Sequence, residues 1–186
     1  MKIADMEFSI QPHLENEIVR LIPMKEIDFE RIYAVSSDPA VWANHPNKNR
    51  CEREVFKNFF RGAMESGGAF LVQDKKTEKI IGSTRFYDYD EKNKSIFIGY
   101  TFYAVEFWGK GYNYSAKKLM LDFIFEKVEK VIFHVGAENF RSQAAMKKLG
   151  AKKVGEIEIA YYGEPLRRNV EYEIKKSDWL SDSDEN

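Results

Sequence analysis

The chain has 186 residues, of which 44% are apolar and 15% aromatic, enough to fill the core of one domain. Its 29 basic and 30 acidic residues nearly cancel, which disfavours a nucleic-acid-binding protein. The single cysteine, Cys51, excludes a disulfide within the chain and a multi-cysteine zinc site, so we predict no bound metal. The N-terminus is too polar for a signal peptide, and no apolar run approaches the roughly 18 residues of a membrane helix. We therefore predict a cytoplasmic protein with no membrane or nucleic-acid partner.

The first half of the chain changes from helical to strand periodicity. Apolar spacing predicts a strand at 17–22 and helices at 25–35 and 52–64, the second of which ends at Gly67 and Gly68. The segment between the two helices, 38–49, contains two prolines and is predicted to be irregular. Three segments rich in β-branched and aromatic residues follow, separated by short polar turns, and they predict an antiparallel meander. These segments are 69–73, 79–89 and 94–103.

The second half begins with a loop that carries Gly109 and Gly111 and leads into a predicted helix at 113–127. The inward face of this helix is predicted to be Ala116, Leu119, Met120, Phe123 and Ile124. A strand at 131–135, a helix at 139–149 and strands at 152–160 and 169–175 complete the order. We predict a single domain over residues 1–186, with its core at about 17–176 and a frayed acidic end at 177–186. The fold class is α/β (α+β): a mixed, mostly antiparallel sheet of about six to seven strands with helices on both faces.

The segment FWGKGYNYS, at 107–115, lies where a strand ends and a helix begins. Backbone N–H groups at a helix N-terminus are unpaired and attract anions, and glycines let a phosphate approach the main chain. The P-loop pattern GxxxxGK[ST] is absent. The dinucleotide pattern GxGxxG is half present, with Tyr114 in place of the third glycine and Glu138 where a ribose-binding acid would stand. The third phosphate-bearing ligand to consider, after a nucleoside triphosphate and a dinucleotide, is coenzyme A. The glycine spacing alone fits equally well a strand-to-helix turn that binds no ligand.

Three stretches, IIGSTRFYD (80–88), IGYTFYAVEFWGKGYN (98–113) and ENFRSQAAMKKLGA (138–151), add context to that loop. Through them the chain, from about residue 21 to 173, resembles the GNAT N-acetyltransferases, particularly the branch that includes the ribosomal-protein N-terminal acetyltransferases. The resemblance implies an enzyme that binds acetyl-CoA in a cleft between splayed strands and moves its acetyl group to a primary amine, by direct attack in a ternary complex. The acceptor would be a protein or peptide N-terminus or a small molecule, and the enzyme a monomer or homodimer.

The family's cofactor motif, Q/R-x-x-G-x-G/A, aligns with Trp108, Gly111 and Asn113. Asn113 replaces a small residue, and we predict that it caps the following helix instead. The resemblance implies that the strand ending at 101–103 offers backbone groups to the pantetheine amides and an N–H to the oxyanion of the tetrahedral intermediate. The predicted cofactor-binding residues are Thr101, Phe102, Tyr103, Trp108, Gly109, Lys110, Gly111, Tyr112, Asn113, Tyr114, Asn139, Arg141 and Ser142.

The catalytic candidates follow from the chemistry of acetyl transfer, in which the amine loses a proton and the departing thiolate gains one. Many members of the family place a tyrosine acid where this chain has Met146, which cannot donate a proton. Ser142 is our candidate donor to the sulfur, with a helix-capping hydroxyl as the alternative. Among the histidines, His45 is the candidate for the base or a substrate contact, with a turn residue before Pro46 as the alternative. His134 lies inside the predicted strand at 131–135, where we predict a partly buried, hydrogen-bonded side chain, with a catalytic role as the alternative.

Arg85 and Tyr87, in the middle of a predicted strand, are our candidates for lining the acceptor side of the cleft. A second hypothesis, supported by Met146, is a non-catalytic module that binds or senses acyl-CoA. A third, a dinucleotide-dependent oxidoreductase, depends only on Gly109, Gly111 and Glu138, and a single crossover unit disfavours it.

Overall fold

A computed structural model describes residues 8–161 and 163–183, without the side chains of residues 182 and 183. Eight strands in this described part form one sheet, in the order β1-β2-β3-β4-β5-β6-β8-β7, and five α-helices accompany them. The strands are β1 (Leu14–Glu15), β2 (Val19–Pro23), β3 (Ala69–Asp74), β4 (Ile80–Asp90), β5 (Ser95–Tyr103), β6 (Lys130–Gly136), β7 (Lys152–Ala160) and β8 (Leu166–Lys175). The helices are α1 (Phe29–Ser36), α2 (Arg53–Ser66), α3 (Tyr112–Ile124), α4 (Phe140–Leu149) and α5 (Lys176–Ser183).

The sheet is mixed and mostly antiparallel, which confirms the predicted fold class. Within the described sheet, only β5 and β6 pair in parallel, because α3 crosses over between them. The sheet has one strand more than predicted. The additional strand, β1, has two residues, which pair antiparallel with β2 and are too few to show a periodic pattern in the sequence.

Each face of the sheet has its own hydrophobic core, because successive strand residues point to opposite faces. The α3 face is covered by α3, α4 and α5, which bury residues such as Met120 and Leu149 against it. The α2 face is covered by α1 and α2, with Phe56, Leu71 and Trp42 in its core. No helix among the described residues is long and apolar enough to cross a membrane.

Glycines with positive φ define three of the helix ends, at Gly67, Gly111 and Gly150. Gly67, at φ 62°, ends α2 as predicted. Gly111, at φ 85°, is the residue that precedes the first turn of α3, and the Asn113 side chain makes no capping hydrogen bond. The prediction that Asn113 caps this helix is therefore wrong, since Asn113 is already the second residue inside it.

Residues 177–183 of the C-terminal end, which the sequence predicts to be frayed, belong to α5. Trp179 explains the difference: its side chain is only 7% exposed and lies in the core on the α3 face. Its indole N–H donates to Asp122 Oδ1 at 2.8 Å, and its ring lies 6.4 Å from that of Phe125. A single buried tryptophan thus holds an otherwise polar segment against the domain. Residues 184–186 lie outside the described residues.

We expect Trp179→Ala to lower the free energy of unfolding by about 3 kcal/mol, because a large buried ring is lost. Trp179→Phe keeps most of the packing and loses the hydrogen bond to Asp122, so its cost should be near 1 kcal/mol. Urea titration of both variants measures the difference. Equal stability of the wild type and a chain truncated after Lys175 would contradict this role for α5.

Candidate functional site

The site forms where β5 and β6 separate. The two strands pair only from Ser95 to Phe97 with Lys130 to Ile132; beyond this point β5 continues against β4 and β6 continues against β8. A cleft of about 410 Å³ opens at this point. It is lined by the separated ends of both strands, by the first turns of α3 and α4, and by the segment between α1 and α2. The β6-facing edge of β5 therefore has no strand partner beyond Phe97, as the splayed strands of the prediction require.

An irregularity in β5 decides which side chains enter each side of the cleft. Tyr100 has φ 52°, and the register with β4 shifts between the Arg85–Gly99 and Ser83–Phe102 pairs. A bulge of this kind interrupts the alternation of side chains. Tyr100 and Phe102 consequently pack with the core on the α2 face, while Tyr103 packs with the core on the α3 face.

The glycine loop before α3 borders the cleft as predicted. Gly109 and Gly111 both have positive φ, at 70° and 85°, a conformation that is costly for residues with a Cβ atom. The indole N–H of Trp108 donates to the carbonyl of Tyr103 at 2.9 Å, which fixes the loop to the end of β5. The guanidinium of Arg141, from α4, stacks 3.5 Å from the centre of the Trp108 ring. The N-terminus of α3 and a cation of α4 thus lie on the same side of the cleft.

Twelve of the thirteen predicted cofactor-binding residues line the cleft, and Lys110 does not. Lys110 is exposed beside Phe107 and lies outside the cleft. Tyr112 lines the cleft, but its hydroxyl donates to Asp74 Oδ1 at 3.0 Å. The residues that line it are Thr101, Phe102, Tyr103, Trp108, Gly109, Gly111, Tyr112, Asn113, Tyr114, Asn139, Arg141 and Ser142.

Three buried polar atoms among the described side chains have no hydrogen-bond partner, and all three belong to residues that line this cleft. They are Tyr103 Oη, Asn113 Oδ1 and His134 Nδ1. A buried polar atom without a partner costs about 1–3 kcal/mol, so such a concentration indicates a ligand that supplies the partners. Burial raises the pKa of Tyr103, which keeps its hydroxyl a donor. The Tyr103 hydroxyl and the Asn113 amide oxygen match the carbonyl and N–H groups of the pantetheine amides, and the residues present therefore fit acetyl-CoA.

The start of α4 brings Asn139 and Ser142 to the cleft. The side chain of Asn139 accepts a hydrogen bond from the Ser142 backbone N–H at 3.2 Å, which makes Asn139 the helix cap. Ser142 is therefore not needed as a capping hydroxyl, and its half-buried side chain lines the cleft. Met146, one turn further on, also lines the cleft and is buried, so the missing tyrosine acid leaves an apolar surface there.

Lys117 is a buried cation in the cleft that our sequence analysis missed. Its side chain is 2% exposed, and its ammonium donates to Thr101 Oγ1 at 2.7 Å and to Thr84 Oγ1 at 3.1 Å. Burial lowers the pKa of Lys117 to about 7. The helical spacing could have indicated that Lys117 is buried, because it stands three and seven residues before the buried Met120 and Ile124, on the same face of α3. Of the predicted inward face, Leu119 and Phe123 are only partly buried.

On the α2 face, the cleft ends at a buried ion pair. Arg50 is 2% exposed, and its guanidinium donates to both carboxylate oxygens of Glu164, at 2.6 Å each. The same guanidinium lies within about 6 Å of four aromatic ring centres, those of Trp42, Phe59, Tyr100 and Tyr161. The ion pair joins the segment before α2 to the connection between β7 and β8. Its partners are 114 residues apart in the chain, so no local pattern in the sequence could have indicated it.

His45 lines the cleft, but its contacts do not suit a base. Its Nδ1 accepts from the Asn47 backbone N–H at 2.9 Å, and its Nε2 lies 3.2 Å from the Arg50 guanidinium, which can only donate. Burial, followed by the positive charge of Arg50, lowers the pKa of His45 well below its ordinary value. His45 is thus a poor proton acceptor, and only its contact with substrate remains as a prediction.

Arg85 is not in the cleft where our sequence analysis placed it. Its side chain is buried, donates to the carbonyl of Phe59 at 3.1 Å and lies 3.8 Å from the centre of the Tyr100 ring. Arg85 therefore supports Tyr100 from behind. Tyr87, the other predicted acceptor residue, does line the cleft, and its ring contacts that of Tyr100 edge to face, 5.0 Å between centres.

The dinucleotide hypothesis is wrong. A site of that kind needs a doubly wound parallel sheet, whereas only one strand pair of the described sheet is parallel. Glu138 is exposed and lies outside the cleft. Within the described part of the chain, His, Cys, Asp and Glu side chains form no group of three or more that could hold a metal ion.

Lys117→Met tests the buried ammonium. The pKa of Lys117 is about 7 in the folded chain, against 10.5 as the ordinary value, so between these values the unfolded chain binds more protons and the stability of the wild type rises with pH. We therefore expect Lys117→Met to stabilise the fold at pH 6, and its advantage to shrink by about 3 kcal/mol at pH 9. Urea unfolding over this range measures the effect. Lys118→Met, at the exposed neighbour, is the matched control, and a pH-independent difference for Lys117→Met would contradict the assignment.

Comparison with known proteins agrees with this geometry. The family model for the acetyltransferase (GNAT) domain matches residues 19–152. A GCN5-related N-acetyltransferase from Brucella melitensis superposes with a TM-score of 0.78 at 19% identity, over 91% of this chain and 81% of that one. A spermidine N-acetyltransferase from Vibrio cholerae, solved with CoA and spermine, superposes with a TM-score of 0.69 at 16% sequence identity, over 89% of this chain and 99% of that one. A proposed ribosomal-protein-serine acetyltransferase from Vibrio cholerae superposes with a TM-score of 0.68 at 16% sequence identity, over 90% of this chain and 99% of that one. At these identities the structures show a shared fold, and the family match over most of the chain shows that it belongs to the GNAT acetyltransferases, which use acetyl-CoA as cosubstrate.

Proposed function

We propose that this acetyltransferase acts on a single primary amine whose remaining groups are uncharged or acidic, such as a peptide or protein N-terminus or a small molecule. The amine attacks directly, in a ternary complex with acetyl-CoA. The observation that carries this proposal is the charge of the cleft. No aspartate or glutamate is among the described residues that line it, whereas four cationic side chains are: Arg50, Lys117, Arg141 and Lys148.

The two faces of the sheet give the two substrates separate entries. The N-terminus of α3 and Arg141 lie together and suit the phosphates of acetyl-CoA. On the α2 face the cleft is bordered by aromatic rings, including those of Tyr87, Tyr100 and Tyr161. These rings offer flat, largely apolar walls to an acceptor that enters opposite the cofactor.

The charges on the acceptor side of the cleft favour one of two kinds of acceptor, a polyamine or a free N-terminus. A polyamine brings several positive charges, and its binding calls for carboxylates. The carboxylate of Glu164, beside the rings of Tyr100 and Tyr161, is already bound by Arg50 and by the Asn47 side chain at 2.6 Å. A free N-terminus brings one ammonium and becomes neutral on losing a proton. The lack of an aspartate or glutamate among the described residues that line the cleft therefore weighs against spermidine, the substrate named for one structural neighbour.

An acceptor panel tests this proposal. With acetyl-CoA present, we expect thiol release with short peptides that have a free N-terminus and a neutral or acidic second residue, at a kcat/KM at least tenfold above that for spermidine. Each peptide is paired with its N-acetylated form, which removes the amine and serves as the control. Spermidine as the best acceptor would contradict the charge argument, and binding of acetyl-CoA without turnover on any amine would favour a sensor.

We further propose Ser142 as the donor that protonates the departing thiolate. Its position in the cleft, at the first turn of α4, supports this role, as does the capping of that turn by Asn139. The requirement is modest, because a free thiol has a pKa of about 8.5 and its thiolate is a fair leaving group. Water in the cleft is the competing donor.

Ser142→Ala should lower kcat about tenfold with the best acceptor and leave the KM for acetyl-CoA nearly unchanged, because a proton donor acts in the transition state. Steady-state kinetics over both substrates separates the two parameters. Ser181→Ala, at an exposed serine of α5, is the control for loss of a hydroxyl. A change in KM alone would assign Ser142 to cofactor binding instead.

A further inference from the structure

We propose that His134 is the general base that takes the proton from the acceptor amine, and that Glu171 positions it; this inference depends on the function proposed above. His134 lies on β6, two residues beyond Ile132, where pairing with β5 ends. It therefore stands at the point where the two strands separate. Its side chain is 4% exposed and lines the cleft.

The hydrogen bonds of His134 fix the protonation of its ring. Nε2 lies 2.8 Å from Oε2 of Glu171, the residue directly opposite on β8. A carboxylate can only accept, so Nε2 carries the hydrogen and, in the neutral ring, Nδ1 holds the free electron pair. Nδ1 is buried and, among the described residues, has no hydrogen-bond partner. The ring is thus held by one nitrogen, and the other is available to receive a proton.

The strand alternation places His134 on the acceptor side. Its neighbours Phe133 and Val135 lie in the core on the α3 face, so the His134 side chain points to the opposite face. There its ring contacts Phe97 at 4.9 Å between centres, and Phe97 contacts Tyr87 at 5.2 Å. His134 therefore shares a face with the aromatic wall assigned to the acceptor, opposite Lys117 and the glycine loop.

Among the described residues that line the cleft on this face, no other ionisable group is as well placed. Arg50 is bound to Glu164, and His45 is faced by two donors. Tyr87, Tyr100 and Tyr161 have pKa values that are raised by burial, so they remain protonated. From the α3 face, three cations approach the cleft: Lys117, Arg141 and Lys148. Glu171 is the one carboxylate within hydrogen-bond distance of the His134 ring among the described residues.

The proposed step balances without a further reactant. Nδ1 of His134 takes one proton from the acceptor nitrogen as the bond from that nitrogen to the acetyl carbon forms. The carbon–sulfur bond breaks, and the Ser142 hydroxyl gives its proton to the departing thiolate and regains one from water. The His134 ring then releases its proton to water, so the net products are an amide and a thiol. Glu171 stabilises the positive charge that the His134 ring holds in between.

Two substitutions and a matched control test the proposal, with the best peptide acceptor and kcat/KM measured against pH. His134→Gln should lower kcat/KM at least a hundredfold at neutral pH, within the range typical of a lost general base. Glu171→Gln should lower it about tenfold and move the acid limb of the profile to lower pH, since removal of a carboxylate disfavours the protonated ring. Glu173→Gln, on the same face of β8 but beside Lys130, should leave both rate and limb unchanged.

Affinity for acetyl-CoA and thermal unfolding, measured on all three variants, distinguish a lost base from a damaged fold, and we expect both to stay near wild type. An acid limb that stays in place in Glu171→Gln, or a His134→Gln variant with the wild-type profile, would overturn the assignment even though the enzyme is active. A wild-type chain that acetylates no amine would instead overturn the function on which the inference depends.

Discussion

The separation of β5 from β6 is the constraint on which the rest of the site depends. Three residue pairs hold these strands together, and then each strand follows its other neighbour, β4 or β8. A parallel pair that ends inside a sheet leaves backbone groups without partners, which is costly in a protein interior. The irregularity at Tyr100 adds to this by reversing which side chains face each core. The cleft is therefore a property of strand pairing, and the side chains of the site are arranged along its two edges.

The same region concentrates polar groups that a core optimised only for stability would avoid. Lys117 is buried without a carboxylate partner, and Tyr103, Asn113 and His134 each keep a polar atom unpaired. Such conflicts with the ordinary rules of packing are expected at functional sites, where a ligand or a reaction supplies what is missing. The Arg50–Glu164 ion pair is different, because the charges of both residues are paired. It links the segment before α2 to the connection between β7 and β8, beside the aromatic rings of the cleft.

Sequence reasoning succeeded where the determinants are local. The order of strands and helices, the glycine loop before α3 and the glycine that ends α2 each depend on residues close together in the chain, and all three appear in the structure. It failed where a single long-range contact decides. Trp179 holds a polar tail as a helix through Asp122, and Arg85 is drawn behind Tyr100 by the carbonyl of Phe59. Neither contact leaves a periodic pattern.

The histidines show the same division. The sequence by itself determined a mixed sheet, a glycine loop between a strand and a helix, and three histidines as candidates, because composition, glycine spacing and apolar periodicity are encoded residue by residue. Acetyl-CoA as the ligand of that loop came from the resemblance to the GNAT family. Only the tertiary structure decided which histidine is equipped for proton transfer. His45 meets Asn47 and Arg50, two donors, whereas His134 meets the carboxylate of Glu171 across a strand pair. The protonation behaviour of an imidazole is set by the charges around it, and those charges come from parts of the chain that only folding brings together.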